Sequence, residues 1–164
     1  MRMRVPMSSP ELTDSDIAAV NQVLDTRYLS LGPRIEAFEE AFATVVGTEH
    51  AVGGNSGTSG LHLAVIAAGI EEGDLVITTP FSFIASANCI LFERAIPVFV
   101  DIDPQTFNID PDLVAQAVRD LIKGGAAAEE LTRGRGEGEI GKRGQLKAIL
   151  TVDAFGQPVD YDPI

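Results

Sequence analysis

Short apolar runs rich in β-branched residues alternate with helical segments over residues 61–152. The runs at 75–79, 98–100 and 147–152 have the length of strands, and the segments between them carry apolar residues at helical spacing. Although such short runs also fit pieces of a buried helix, their β-branched content and flanking turns favour strands. The alternation is typical of βαβ units. We therefore predict an α/β fold with a mostly parallel sheet and helices on both faces, with Pro97 just before its strand.

Two helices are predicted before this region. Thr13 is suited to cap the first helix, because an acidic residue follows three positions later. Pro33 occupies the first position of the second helix, and Gly47 ends that helix. We therefore expect an N-terminal helical segment over residues 1–48 and a larger domain over residues 49–164.

The charge balance and the residue counts exclude several classes of protein. Twelve Lys and Arg stand against 24 Asp and Glu, and the net charge of -12 repels a polyphosphate backbone, so we expect no nucleic-acid partner. A single Cys excludes an internal disulfide, and with two His it gives no reason to expect a metal site. No apolar stretch approaches the roughly 20 residues of a membrane span, and no apolar run follows the N-terminal arginines. We predict a cytoplasmic protein without a membrane partner.

Residues 123–145 differ from the rest of the chain. They hold seven Gly and show little apolar periodicity, which predicts a flexible surface loop. Basic side chains there offer an anion site as one interpretation. We favour a solvated loop, because glutamates between the basic residues prevent a focused field. The basic residues are Arg133, Arg135, Lys142 and Arg143.

Residues 53–60 form a glycine-rich turn between a predicted short strand at 50–52 and a predicted helix at 61–68. Exposed N–H groups at a helix start, helped by the helix dipole, bind phosphate without any Lys or Arg. The turn is not a P-loop, because no Gly-Lys-Ser/Thr ends it, and it lacks the Gly-x-Gly of a dinucleotide fingerprint. A plain turn with Ser and Thr capping fits the spacing equally well, so the residues alone leave both interpretations open.

Two further candidates follow predicted strands, at the edge of the sheet where α/β proteins bind their ligands. In the segment 81–83, an aromatic side chain is able to stack on a flat cofactor ring, although a Phe more often lies in a core. Asp153 fits either a polar ligand group or a helix cap. We interpret three other candidates as structural. His62 is expected to pack in the fold, Cys89 to be an inert buried thiol, and residues 101–103 to form a turn at the end of a strand.

The last five residues repeat a pattern that opens a helix earlier in the chain. Asp162 and Pro163 correspond to Asp110 and Pro111, as a cap followed by a proline at the first helical position. A helix start that no further helical turns follow gains no stabilisation. We therefore expect this chain to be the N-terminal part of a longer polypeptide.

Seven short motifs follow one another along the chain. They are Tyr28-Leu29-Ser30-Leu31-Gly32-Pro33 with Phe38-Glu39, Asn55-Ser56-Gly57-Thr58-Ser59-Gly60-Leu61-His62-Leu63, Gly73-Asp74, Pro80-Phe81-Ser82-Phe83, Pro97-Val98-Phe99-Val100-Asp101-Ile102-Asp103, Asn108-Ile109-Asp110-Pro111 and Phe155-Gly156-Gln157-Pro158. Taken in order, these segments resemble the N-terminal part of the DegT/DnrJ/EryC1/StrS sugar aminotransferases. These are pyridoxal-phosphate (PLP) enzymes of the aspartate-aminotransferase fold, also called fold type I. The resemblance covers nearly the whole chain apart from residues 123–145, and its specificity lies in the ordered set of motifs.

The resemblance implies an incomplete fold type I large domain with PLP as its cofactor. It implies that Gly57, Thr58 and Ser59 hold the cofactor phosphate and that Phe83 stacks on the pyridine ring. Asp153, which stands where many relatives have His, is a further cofactor-binding candidate.

The resemblance also implies what the chain lacks. The family's Schiff-base lysine, and the carboxylate that pairs with the pyridinium nitrogen, lie further along than residue 164, so we assign no catalytic residue here and expect the chain alone to be inactive. For the whole protein it implies a homodimer that aminates a nucleotide-linked keto sugar for polysaccharide biosynthesis, with glutamate as amino donor. Two alternatives stay open, a sugar 3-dehydratase-like PLP enzyme in which His replaces the lysine, and a non-catalytic phospho-ligand-binding or regulatory relative.

Overall fold

The computed structural model of the protein describes residues 9–131 and 144–164. Contacts divide the chain into two compact units, Met1–Gly53 and Gly54–Ile164. The domain boundary expected after residue 48 stays a prediction. Within the described residues, no helix is both long and apolar enough to cross a bilayer.

The first unit contains two helices, α1 (Asp14–Leu24) and α2 (Pro33–Val46). The cap predicted at Thr13 is confirmed, because its N–H donates to Asp16 Oδ2 at 2.8 Å and its Oγ1 accepts from the Asp16 N–H at 3.3 Å. The hydrogen bonds from the Thr13 backbone and side chain hold the pKa of the Asp16 carboxyl below its ordinary value. As predicted, α2 begins with its proline and ends at Gly47, which has a left-handed φ of 74°.

The prediction of a strand at 50–52 is wrong, since residues 50–54 have no strand pairing. An isolated strand has no neighbour to accept its backbone hydrogen bonds. Instead, the Gly53 N–H donates to Glu39 Oε1 at 2.7 Å, and a Cβ on Gly53 would lie 3.1 Å from the Ile35 side chain. The end of the first unit is therefore fastened to α2 by a side chain and not by a sheet.

The second unit contains a three-stranded sheet, formed by β1 (Leu75–Thr78), β2 (Ile96–Phe99) and β3 (Leu146–Ile149). The strand order is β2-β1-β3, and β1 pairs in parallel with both neighbours, which confirms the predicted parallel sheet. Parallel pairing places the ends of all three strands at one side, called here the carboxyl edge. The carboxyl edge consists of the residues that follow the strands, which are 79–84, 100–109 and 150–159.

Pro97 lies inside β2, so its predicted place before the strand is wrong. β2 is an edge strand of the described sheet, and a missing N–H is tolerated there. The Ile96 N–H donates to the Asp74 carbonyl at 2.7 Å, and the Val100 N–H donates to the Thr78 carbonyl at 2.8 Å. Because alternate residues of a strand face the same neighbour, the nitrogen of Pro97 faces away from β1.

Helices cover both faces of this sheet, as predicted. In the described part of the second unit, the α-helices are α3 (Gly57–Ala67), α4 (Ala85–Phe92), α5 (Pro111–Lys123) and α6 (Ala126–Leu131). Val76 of β1 belongs to a buried cluster with residues of α3 and α4, whereas Leu75 and Ile77 belong to a second cluster with residues of α5. Since neighbouring residues of a strand point to opposite faces, the two clusters are the two halves of the core.

Part of the loop predicted at 123–145 is helical, so the prediction is wrong for residues 126–131. α6 consists of three alanines, two glutamates and a leucine, all of which favour helix. Ala128 is almost completely buried, but alanines add little to an apolar pattern. The four basic residues considered for an anion site, Arg133, Arg135, Lys142 and Arg143, lie outside the described residues.

The buried carboxylate of Asp74 fixes the start of β3. Its Oδ1 accepts a hydrogen bond from the Gln145 N–H at 3.1 Å, and its Oδ2 accepts one from the Glu71 N–H at 3.0 Å. The Gly144 N–H donates to the Gly73 carbonyl at 3.0 Å. This contact brings the two backbones so close that a Cβ on Gly144 would overlap the backbone of Asp74.

We expect Gly144→Ala to lower the free energy of unfolding of the whole protein by about 1–3 kcal/mol, the usual cost of overpacking a close contact. Gly60→Ala is the matched control, because a Cβ at Gly60 would meet no atom within 4 Å and alanine is favoured over glycine in a helix. Urea denaturation followed by circular dichroism measures both changes. Equal stability of Gly144→Ala and the unaltered protein would contradict this contact.

Candidate functional site

A side-chain cap fixes the start of α3. Ser56 is the N-cap residue, and its Oγ accepts a hydrogen bond from the Ser59 N–H at 3.2 Å. The Ser59 hydroxyl donates to Asn55 Oδ1 at 2.6 Å and lies 3.1 Å from Ser56 Oγ. With this network the helix begins at Gly57, earlier than predicted. Gly57, Thr58 and Ser59 therefore form its first turn.

The first turn of α3 has backbone donors without partners. The Gly60 N–H donates to the Ser56 carbonyl at 3.1 Å, whereas the N–H groups of Gly57 and Thr58 donate to no acceptor in the part of the chain that the structure describes. Gly57 is exposed and Thr58 is half-buried. A Cβ on Gly57 would meet no atom within 4 Å, so the space around the helix start is open. These amides are available to an external anion.

The donors at this turn are electrically neutral. The described hydrogen bonds of residues 55–60 join hydroxyl, amide and backbone groups, without a carboxylate or a basic side chain. In a chain with a net charge of -12, the helix dipole and the N–H groups supply the attraction for an anion at this point. The arrangement suits a phosphate monoester, whose oxygens accept several hydrogen bonds.

Phe83 is presented at the carboxyl edge, just before α4. The segment leading to it is held by a hydrogen bond from the Phe81 N–H to Thr79 Oγ1 at 3.2 Å and by one between the Ser82 and Ser86 hydroxyls at 2.7 Å. Phe83 itself is 77% exposed and does not belong to the core. Its ring is therefore accessible for stacking on a planar group.

Three other phenylalanines pack together at the carboxyl edge, although no pattern in the sequence groups them. The ring centroid of Phe81 lies 6.0 Å from that of Phe107 and 6.1 Å from that of Phe155. Phe107 and Phe155 have left-handed φ angles of 62° and 53°, which cost about 1 kcal/mol or more at such residues. Each strand contributes one phenylalanine from the loop that follows it, so the cluster follows from the parallel topology.

Asp153 lies where β3 leaves the sheet, and it is exposed. Its Oδ1 accepts a hydrogen bond from the Val159 N–H at 3.0 Å. It makes no side-chain hydrogen bond to the short 3-10 helix that follows, Ala154–Gly156. One carboxylate oxygen is therefore engaged in closing its own loop.

Asn108 is a buried residue of the carboxyl edge, and in the sequence it stands out only as part of a motif. Its Oδ1 accepts a hydrogen bond from the Ala154 N–H at 3.0 Å. Its Nδ2 donates to the carbonyls of Gln157 and Pro158, both at 3.1 Å. An asparagine two residues before a helix cap is a weak sequence signal, because its partners lie in a distant loop.

The remaining candidate residues make contacts within the fold. His62 Nε2 lies 2.6 Å from Glu93 Oε1, and its ring packs edge-on against Phe92, which joins α3 to α4. Cys89 is fully buried, and burial raises the pKa of its thiol. The Asp103 carboxylate accepts hydrogen bonds from two N–H groups of its own turn. Among the described residues, no group of three or more His, Cys, Asp or Glu is arranged to hold a metal ion.

The sequence model of the DegT/DnrJ/EryC1/StrS aminotransferase family matches residues 10–164. The chain belongs to this family. Its members are PLP-dependent sugar aminotransferases, so the resemblance inferred from the motifs and the predicted cofactor are both confirmed.

Individual relatives agree with this assignment. The spore coat polysaccharide biosynthesis protein SpsC of Bacillus subtilis is 46% identical over 119 residues, which cover 73% of this chain and 31% of SpsC. GDP-perosamine synthase of Caulobacter vibrioides is 38% identical over 162 residues, which cover 98% of this chain and 37% of that protein. The PLP form of Spr1654 from Streptococcus pneumoniae matches with a TM-score of 0.74 and 28% identity, over 97% of this chain and 34% of that chain. This likeness confirms the fold class, and the chain spans about a third of the length of the relatives it matches.

The described residues fit the family's cofactor. The unpartnered N–H groups of Gly57 and Thr58 suit its phosphate, and the exposed ring of Phe83 suits its pyridine ring. The lysines that the structure describes lie away from these groups in the fold. Lys123 ends α5 and Lys147 lies within β3, so neither follows a strand at the carboxyl edge.

Replacing Ser56 separates helix capping from anion binding. Since aspartate caps a helix about as well as serine, we expect Ser56→Asp to change the free energy of unfolding by less than about 0.5 kcal/mol. Its carboxylate repels an anion at the neighbouring N–H groups, so the affinity of the whole protein for PLP should fall by about tenfold or more at low salt.

Ser56→Ala is the matched control for this prediction. It should lower the free energy of unfolding by about 1 kcal/mol through loss of the cap, and it adds no charge to the site. Urea denaturation and equilibrium dialysis measure stability and affinity separately. An unchanged affinity for PLP in Ser56→Asp would contradict an anion site at this helix start.

Proposed function

We propose that the whole protein is a PLP-dependent aminotransferase that acts on a nucleotide-linked keto sugar with glutamate as amino donor. The observation that carries the proposal is the pair of N–H groups at the open start of α3 that have no partner in the described part of the chain, whose family uses PLP. The name of one relative, GDP-perosamine synthase, supports a nucleotide-linked sugar as substrate. The choice of glutamate rests on the family resemblance.

In this proposal, the N–H groups of Gly57 and Thr58 and the hydroxyls of Thr58 and Ser59 bind the cofactor phosphate. The Ser56 cap preorganises these donors, so binding requires little rearrangement. Phe83 orients the pyridine ring by stacking on one face and keeps water from that face.

Asp153 is the further cofactor-binding residue in this proposal, at the end of the neighbouring strand. When bound, PLP supplies an electron sink that makes the transfer of an amino group possible. The lysine that attaches the cofactor and the carboxylate that pairs with its ring nitrogen are proposed to come from residues outside this chain.

A homodimer is part of the proposal. Large apolar side chains of α1 and α2 are exposed, among them Val20, which is 60% exposed, and Phe38, which is 58% exposed. Several exposed large apolar side chains on neighbouring helices favour a surface that binds another protein. The family resemblance favours a second copy of the same protein as that surface.

The direct test is incubation of the purified whole protein with PLP, glutamate and nucleotide-linked keto sugars. We expect equal amounts of an amino sugar and 2-oxoglutarate, because the amino group is moved and not consumed, and mass spectrometry detects both. Loss of a sugar oxygen without gain of nitrogen would support a dehydratase instead. Binding of PLP without turnover of any sugar would support a non-catalytic relative.

Phe83→Ala should raise the dissociation constant for PLP by about two- to tenfold, because ring stacking contributes about 0.5–1.5 kcal/mol. Phe92→Ala is the matched control, since Phe92 is 53% exposed and ends α4, at the opposite end of that helix from Phe83. The absorbance change of the cofactor on binding gives both constants. Equal losses of affinity in the two variants would contradict stacking on Phe83.

A further inference from the structure

We infer that Asn108 is a positioning residue, which ties the loop after β2 to the loop after β3 and thereby holds Asp153 and Phe155 at the carboxyl edge. The contact of these two residues with cofactor or substrate rests on the proposed function. The inference starts from the strand order, in which β1 lies between β2 and β3. A link between the loops of the two outer strands spans the end of the central strand.

The polar atoms of the Asn108 side chain have partners that only an amide satisfies. Oδ1 accepts from the Ala154 N–H at 3.0 Å, and the two hydrogens of Nδ2 are donated to the Gln157 and Pro158 carbonyls at 3.1 Å each. Asn108 is 5% exposed, so these groups replace water. An N–H requires an acceptor and two carbonyls require donors, and asparagine carries both at this side-chain length.

The partners of Asn108 all lie in one short loop, residues 153–159. Asp153 begins this loop and accepts a hydrogen bond from its far end at 3.0 Å. Phe155 has a left-handed conformation within it, and its ring lies 6.2 Å from that of Phe107, the residue next to Asn108. A strained conformation persists where its surroundings hold it. The hydrogen bonds of Asn108 supply that support, and they fix the place of both side chains.

Asn108→Asp tests this role with a minimal change of shape. Aspartate keeps an acceptor for the Ala154 N–H, but when ionised it sets its second oxygen against two carbonyls and has no donor for them. The neighbouring carboxylates also favour its protonated form. These are Asp101, Asp103 and Asp110 on its own loop and Asp153 on the facing loop. Protonation restores one donor, so the defect should diminish as the pH falls.

Hydrogen exchange and activity are measured on the whole protein at about pH 8 and about pH 6. At the higher pH, we expect the amides of residues 153–157 and 159 in Asn108→Asp to exchange at least about tenfold faster than in the unaltered protein. The dissociation constant for PLP, or the KM for the sugar, should rise by a similar factor. Both ratios to the unaltered protein should shrink at the lower pH. Unchanged exchange in α5 reports that the fold is intact.

Two further variants complete the experiment. Asn21→Asp makes the same chemical change at an exposed position of α1 and should match the unaltered protein at both pH values. Asn108→Ser removes the amide donors without adding charge, so its defect should not depend on pH. It also replaces Asn108→Asp if that variant does not fold.

Unchanged exchange of residues 153–159 in both Asn108 variants overturns the inference. Faster exchange with unchanged PLP affinity, KM and kcat also overturns it, because the hydrogen bonds then serve the fold alone. If the unaltered protein does not bind PLP, the proposed function fails. The exchange ratios and their pH dependence then decide by themselves whether the Asn108 hydrogen bonds, called here the Asn108 clamp, hold residues 153–159 in place.

Discussion

Parallel pairing of β1 with β2 and β3 is the constraint on which the candidate site depends. Because the three strands run in the same direction, the loops that follow them leave the sheet on one side. Each loop contributes a group there, namely Phe83 after β1, Asn108 after β2 and Asp153 after β3. These residues are distant in sequence, and the backbone hydrogen bonds of the strands bring them to a common edge.

The start of α3 shows how an acidic chain is able to receive a phosphate. The chain has 24 acidic residues, and backbone N–H groups at a helix start attract an anion without a basic side chain and keep a fixed direction. The Ser56 cap uses the N–H of Ser59 and leaves those of Gly57 and Thr58 without partners among residues 9–131 and 144–164. The interaction that begins the helix therefore also exposes the donors for the anion.

Patterns that depend on near neighbours were predictable from the sequence, and contacts between distant segments were not. The Thr13 cap and the glycine at the end of α2 involve residues within one helical turn, so their signals are local. The Asn108 clamp joins residues 46 to 50 positions apart, and no local pattern records it. α6 escaped prediction because alanine gives little periodicity. The roles of Gly57 and Phe83 came from the family resemblance, since the spacing alone left each with two interpretations.

Pro97 makes the β2 border of the sheet less suited than the β3 border to pair with a further strand. Because the nitrogen of Pro97 faces outward, β2 lacks one backbone N–H donor on its outer side. A strand that paired there would therefore miss one backbone hydrogen bond. β3, at the opposite border of the described sheet, contains no proline. Additional strands, whether from the same polypeptide or from another, are therefore favoured beside β3. Edge-to-edge association of separate molecules through β2 is correspondingly discouraged.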